Sequence, residues 1–377
     1  MTEQTGEVSN PSPKLYGLDH LRALAITLVF IYHYRIFAHP AWVDASASFG
    51  WTGVDLFFVL SGYLIAGQLF KQLADKNNIG LKEFFIKRFF RIIPPYLVIV
   101  ALYFCIPVFR EKESLPPLWK FLTFTQNFGL DVIHKGTFSH AWSLCIEEQF
   151  YFTLPFLLLV LHYTKIIKRA AILPLVLLAA VIGLRFFSWY HFVQPAAESD
   201  DFWLIWYKWI YYPTYTRLDG LLTGVSIAAI MQYSKKLREK IMQYGNIIFI
   251  VGLAILTAAY FICEEMDTAW TIGFGFLIVA IGYGFFVASA VSNTSFLYKK
   301  RSFITEQLAS LSYAIYLSHK GVIHLTQMLV EKAGLDKAGN LSLCCCIATC
   351  ILAALIMRYA IERPSLYIRN LILQKQS

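Results

Sequence analysis

The stretch GLDHLRALAITLVFIYH at residues 17–33 sets two ionisable side chains, Arg22 and His33, at either end of an apolar run with no charge between them. Read as one block from about residue 20 to residue 38, it has the length needed to cross roughly 30 Å of hydrocarbon as a helix. Eleven residues make about three helical turns, so Arg22 and His33 share a face and stand about 16 Å apart along the axis. An ionisable group in the middle of a membrane costs about 2.5–3.5 kcal/mol on insertion scales, and it therefore needs a partner, water or a chemical role.

Working outward, nine further apolar blocks follow at about 51–70, 93–109, 143–162, 171–190, 210–231, 245–263, 269–291, 307–329 and 341–361. Lipid cannot satisfy backbone polar groups, so such blocks must be helices. The period-2 alternation of an outer-membrane barrel is missing. Composition agrees: the 377 residues are 57% hydrophobic and 15% charged, where a soluble domain carries about 25% charged residues. The fold class expected is all-α, a polytopic integral membrane bundle of about ten transmembrane helices. Residues 16–377 form one such domain, behind a short disordered tail at 1–15 that contains Pro11 and Pro13. Residues 82–91 (KEFFIKRFFR) are amphipathic and basic, as in a helix lying on the membrane surface. The aromatic run Trp203–Tyr212 (WLIWYKWIYY) reads as an interfacial belt leading into the sixth helix. Nothing in the first fifteen residues resembles a cleavable secretory signal, and no repeat of 20–50 residues is seen.

The formal charge of +9 has a topological reading. Loops on one side of the expected bundle hold 21 of the 33 Lys and Arg, those on the other side hold 7, and Arg22, Arg35, Arg185, Arg217 and Lys320 lie in or at the ends of helices. That bias puts both termini in the cytoplasm and gives no reason to expect nucleic acid. The seven cysteines show no metal-ligand spacing. Cys344, Cys345, Cys346 and Cys350 sit within one apolar block as small packing residues, and Cys105, Cys145 and Cys263 are scattered.

Charged residues recur inside the blocks: Asp55 on the second, Glu147 and Glu148 on the fourth, Arg217 and Asp219 on the sixth, His319 and Lys320 on the ninth. Asp55, Glu147, Glu148, Arg217 and Asp219 come near the outer ends of their helices, Arg22 lies at the cytoplasmic mouth and His33 past the midplane. Plainer readings exist for each. An intramembrane His can be a packing residue, Arg217 and Asp219 can neutralise each other, and Lys87, Arg88 and Arg91 can be positive-inside residues. Glu147–Glu148 can be a helix start at the outer surface. Ser61, in FFVLSGYL, lacks the paired glycines of a hydrolase elbow. Physical chemistry alone gives a polar membrane cavity, belonging to a transporter or an enzyme.

At these same positions the chain resembles the bacterial acyltransferase family 3, membrane-bound enzymes that acylate sugars. The blocks that carry the resemblance run in order along nearly the whole chain: GLDHLRALAITLVFIYH (17–33), GWTGVDLFFVLSGYLI (50–65), FFIKRFFRIIPPY (84–96), HAWSLCIEEQFYFTLPFLL (140–158), RLDGLLTG (217–224), LSYAIYLSH (311–319) and IERP (361–364). The first contains the family's Arg–ten residues–His spacing at Arg22 and His33, and the third its Arg-x-x-Arg element at Arg88 and Arg91. Two departures bear on substrate fit: His20 stands where Gly is common, and Gly321 follows His319–Lys320 where Pro is common. The chain ends at Ser377 without the extracytoplasmic hydrolase-like domain of some relatives, so the membrane domain is expected to complete the transfer or hand the acyl group to a partner.

The resemblance implies a multi-pass enzyme of the bacterial inner (cytoplasmic) membrane, with cytoplasmic acyl-CoA, most often acetyl-CoA, as donor and no metal. The implied acceptor is a sugar hydroxyl on the outer face, in lipopolysaccharide, exopolysaccharide or peptidoglycan. Arg22, Arg88, Arg91 and Lys87 are candidates for the CoA phosphates, as charge-assisted contacts. His33 is the candidate general base, because neutral imidazole takes a proton near neutral pH and such a base contributes typically 10²–10⁴-fold. Asp55 or Glu147 is expected to orient it, Glu147 preferred on the family's WSLxxEE block. Arg217, Asp219, His319 and Trp142 are candidates for the acceptor site or for developing negative charge. Glu362 is as readily a salt-bridge partner of Arg358 or Arg363. The competing class is a transporter or acyl translocator with Arg22 and His33 as coupling residues, which should show matching broken helices in two halves. A third reading keeps the enzyme and changes the acyl group or acylates a non-glycan acceptor.

Overall fold

The structure, a computed structural model, describes residues 15–165 and 173–375. The expected tail and the basic stretch with Lys168 and Arg169 lie outside the described residues, apart from Leu15. Among the described residues every regular element is helical. The long helices are α1 (Tyr16–Tyr34), α2 (Gly53–Lys76), α3 (Leu81–Cys105), α4 (Trp142–Tyr163), α5 (Leu173–Ser188), α6 (Asp219–Tyr233), α7 (Gly245–Ile262), α8 (Phe276–Ala290), α9 (Phe303–Lys332), α10 (Asn340–Met357) and α11 (Arg363–Gln374). Among the described residues seven helical stretches, containing α2, α3, α4, α5, α7, α8 and α10 with α11, are long and apolar enough to cross a membrane. The chain is thus a multi-pass membrane protein. The other three blocks counted in the sequence are α1, α6 and α9, which fall short of that criterion. α6 has only 15 residues, while α1 carries Asp19 and Arg22 near its start and α9 contains Glu306, Lys320, Glu331 and Lys332.

Two local expectations are overturned. Residues 82–91 do not form a separate surface helix; they are the first part of α3, which runs unbroken for 25 residues through Pro94 and Pro95. Arg88 and Arg91 are thereby placed on a membrane helix, about two turns and one turn before the point where proline removes backbone donors. Nor does the sixth block run as one helix from residue 210. A π turn at Tyr207–Tyr211, Pro213 and a 3₁₀ turn at Thr214–Thr216 interrupt it, and α6 begins only at Asp219. The interruption leaves Arg217 outside the helix, free to reach sideways.

Glycine sets the closest contact in the bundle, between α2 and α6. A Cβ on Gly62 would lie 2.1 Å from the Leu221 carbonyl oxygen, and one on Gly224 2.2 Å from that of Val59. In membranes, where no hydrophobic force joins helices, small residues that let backbones approach are a main source of packing energy. This crossing brings the α2 segment of Asp55 against the start of α6. Elsewhere α1 lies against α9, and α9 against α10.

Candidate active site

α1 delivers its two ionisable residues to different cavities. Arg22 lines a cavity of about 130 Å³ with Ser61, Arg88, Arg91, Glu147, Glu148, Tyr151 and Tyr316. His33 lines a second, of about 320 Å³, with Tyr32, Trp51, His140, Trp142, Tyr211, Tyr212 and Lys320. A third cavity, about 300 Å³ in volume, shares Arg22, Arg91, Ser312 and Tyr313 with the first and adds Arg358 and Glu362. The three therefore lie in sequence along the axis of α1.

The partition between the first and second cavities is about one side chain thick. Val54 lines both. The Tyr316 hydroxyl, on the Arg22 side, donates to the carbonyl of His140 at 2.7 Å and sits 2.5 Å from Ser143 Oγ. His140 and Trp142 form the opposite face of the same wall.

On the Arg22 side, Arg88 donates to Gln68 Oε1 at 3.3 Å and lies 5.6 Å from the centre of the Tyr151 ring. Glu147 accepts from Ser61 Oγ at 3.2 Å and from the Tyr151 hydroxyl at 2.8 Å. Glu147 stands five residues into α4, but it faces the arginine cavity, not His33, and so lies beside Arg22 and not toward the opposite end of the bundle. Lys87 lines neither arginine cavity: it pairs with Glu83 one turn back on the partly exposed face of α3. It stands apart from the three arginines, because one residue of helix rotates it about 100° from Arg88.

On the other side, His33 Nδ1 is 2.9 Å from His319 Nε2, and the two rings stack with centroids 5.0 Å apart. His319 Nδ1 faces the carbonyl oxygens of Tyr316 at 2.8 Å and Ile315 at 3.1 Å. His140, in the 3₁₀ turn before α4, brings a third imidazole, 4.7 Å from His319 between centroids. Its Nε2 meets the Leu317 carbonyl at 3.3 Å, and its buried Nδ1 has no partner. Lys320 pairs with Glu111 at 3.1 Å and donates to Ser139 Oγ at 3.2 Å, which ties the 106–141 connection to α9. Among the described residues no group of three or more His, Cys, Asp or Glu is placed to hold a metal ion.

The expected orienting acids are engaged elsewhere. Both oxygens of Asp55 accept from Arg217 Nη2, at 3.0 and 3.1 Å. Asp219 forms a two-pronged pair with Arg185 at 2.8 and 3.0 Å, so Arg217 and Asp219 do not neutralise each other. All four residues are at most 2% exposed. The Arg217 guanidinium lies 3.8 Å from the Phe276 ring centre and 5.6 Å from that of Trp142. Trp142 lines the His33 cavity, whereas Arg217, Asp219 and His319 do not. Those three back the wall, and of the four expected acceptor residues Trp142 alone faces the space. His140 and Glu111 escaped sequence reading because both belong to connections. Arg185 carried a usable signal, a lone cation in an apolar block, but its partner lies 34 residues away.

Comparison with known proteins adds a family. A family model described as an acyltransferase domain matches residues 15–359. The peptidoglycan O-acetyltransferase OatA of Listeria monocytogenes is 31% identical over 342 residues, 84% of this chain and 50% of that protein. The O-acetyltransferase OatA of Staphylococcus aureus (strain NCTC 8325 / PS 47) is 30% identical over 338 residues, 83% of this chain and 51% of its own length. The chain thus spans about half the length of the curated relatives it matches. No solved structure matches it.

Proposed function

Since the chain belongs to the acyltransferase domain family, we propose that it is an O-acetyltransferase that carries an acetyl group from cytoplasmic acetyl-CoA to a sugar hydroxyl of an envelope glycan. The site lies in the bacterial inner membrane, crossed ten times with both termini in the cytoplasm and the Arg22 end facing that side. The observation that carries this reading is the pairing of an arginine-lined cavity with a histidine-lined one across a thin partition. Arg22, Arg88 and Arg91 supply guanidinium forks suited to the phosphates of CoA. The pantetheine arm then extends along the cavity toward Tyr316 and Ser143, which presents the thioester at the partition. Glu147, holding Ser61 and Tyr151, shapes that path.

The acceptor enters the aromatic cavity, where Trp142, Tyr211 and Tyr212 offer flat apolar faces and hydroxyls to a sugar ring. His33 is the general base. As the sugar oxygen attacks the thioester carbonyl carbon, His33 takes the hydroxyl proton; the carbon–sulfur bond breaks, and that proton passes to the departing thiolate to give CoA thiol. Base catalysis supplies about 10²–10⁴-fold and positioning much of the rest. The OatA relatives point to peptidoglycan as the glycan to try first.

The test measures O-acetyl esters on envelope glycans of cells that make the wild type, the His33→Ala variant or neither. Acetyl esters with the wild type alone are expected. Wild-type levels of ester with a membrane-inserted His33→Ala variant would remove His33 from the chemistry. If ester is missing throughout while purified protein binds a glycan or an acyl group without acyl-CoA, the translocator reading takes over.

A further inference from the structure

The two hydrogen bonds at His319 Nδ1 have a chemical consequence for its neighbour. Both partners, the Tyr316 and Ile315 carbonyl oxygens at 2.8 and 3.1 Å, can only accept. Nδ1 must therefore carry the ring proton, and in a neutral imidazole the other nitrogen then bears a lone pair. That lone pair, on Nε2, lies 2.9 Å from His33 Nδ1. Two lone pairs cannot face each other at this distance, so His33 Nδ1 carries a proton and donates it. What remains on His33 is a bare Nε2.

We propose that His319 is a positioning residue that locks His33 in the Nδ1–H tautomer, so that Nε2 is the basic atom offered to the acceptor hydroxyl. The inference rests on the reading of His33 as general base and deepens it. His319 is fully buried and does not line the cavity that His33 lines, so it acts through His33 and not on substrate. The backbone of α9 itself, one turn back, is the fixed end of the chain, and no carboxylate is needed. When His33 accepts a proton at Nε2, its Nδ1–H becomes a charged donor to His319, and charge-assisted bonds are roughly twice as strong as neutral ones. The arrangement thus holds the ring still and favours the protonated intermediate at the same time.

The first readout is spectroscopic and independent of turnover. Nitrogen-15 spectra of histidine-labelled wild-type protein in lipid, with the His33 signals identified by their loss in His33→Ala, should show Nδ1–H. Free neutral imidazole favours Nε2–H, so finding that form at His33 would overturn the proposal. The second readout separates positioning from packing. His319→Gln keeps a carbonyl oxygen near the place of Nε2, whereas His319→Asn reaches only the place of Nδ1. Against purified acetyl-CoA and a glycan fragment, His319→Gln should retain kcat within about tenfold, and His319→Asn should lose about 10²-fold or more, the lower range for a general base. KM for acetyl-CoA should not move in either. Equal losses in the two variants, or a common rise in that KM, would reduce His319 to a packing residue. Should wild-type protein form no ester while His33 is Nδ1–H, the function fails and the tautomer assignment stands.

Discussion

Remove the carboxylate of Asp55 and the Arg217 guanidinium is left unpaired in a site where both residues are at most 2% exposed. Breaking one side of a buried ion pair costs about 3–5 kcal/mol, whereas exchanging both partners for apolar residues of similar volume is often neutral. Here the cost falls at the high end for Arg217. Its Nη2 donates to both Asp55 oxygens, and Nε and Nη1 have no other hydrogen-bond partner. Only the faces of Phe276, Tyr211 and Trp142 remain for it, and a cation–π contact is worth about 0.5–2 kcal/mol. Asp55→Leu and Arg217→Met should therefore each destabilise by about 3–5 kcal/mol, and the double variant by no more than about 2 kcal/mol. Equilibrium denaturant unfolding in detergent micelles gives all three values. The interaction term is then about −4 to −10 kcal/mol, far outside the roughly 0.5 kcal/mol expected of independent sites. A double variant that simply adds the two single losses would refute the pair.

Three further outcomes follow from the same geometry. Joint replacement Arg88→Ala and Arg91→Ala removes two charged donors worth about 1.5–3 kcal/mol each, so KM for acetyl-CoA should rise at least tenfold in a steady-state assay; unchanged donor dependence would return both residues to topology. Gly62→Ala should prevent accumulation of folded protein, with its Cβ 2.1 Å from a backbone oxygen, while Gly67→Ala, whose Cβ meets Ala228 at 3.9 Å, should be harmless in the same thermal-unfolding comparison. Lys320→Met strands Glu111, which is about 1% exposed, at a cost of about 3–5 kcal/mol. It should also make the 106–141 connection more sensitive to added protease, and equal protease resistance would show that the pair does not hold this segment.

Legibility in the sequence divides along physical lines. Block length and apolarity report the backbone requirement of a bilayer, which is local, so every expected block holds helix among the described residues, and seven of them lie in stretches long and apolar enough to cross a membrane. The breaks are also local in cause, yet harder to read. Pro213 is visible, but nothing in the sequence marks the 3₁₀ turn at Thr214–Thr216 that delays the helix to Asp219. The 82–91 stretch shows the opposite failure. Its amphipathic pattern suits a surface helix, and Pro94–Pro95 looks like the end of one, yet the helix runs on through both prolines. For the site, the spacing of Arg22 and His33 on one helix is enough to send them to different cavities, because 1.5 Å per residue is fixed by geometry. Partners across helices were not legible. Asp55 and Arg217 are 162 residues apart, and His33 and His319 are 286 apart.

Partner choice separates the charges that build from those that bind. Asp55 closes on Arg217, Asp219 on Arg185 and Glu111 on Lys320, each a matched pair buried to 2% or less by side chain. Such pairs cancel their own fields and leave little for a ligand. Around Arg22 the balance differs. Three guanidinium groups share one cavity with two carboxylates, and Glu147 already accepts two hydroxyl hydrogen bonds. Arg22 has Asp19 only at 3.8 Å, so these guanidinium groups are loosely paired, in a region where a poorly compensated cation is expensive. An anionic ligand relieves that cost and a neutral one does not. Loosely paired, desolvated charge also binds in proportion to the ligand's own charge. Acetyl-CoA should therefore compete far better for this cavity than acetyl-pantetheine, which has the same thioester and no phosphate. The difference should shrink when Arg88 and Arg91 are both alanine. Equal competition by the two thioesters in the wild type would mean that the arginines are balanced by groups of the protein, and the donor would have to be sought elsewhere.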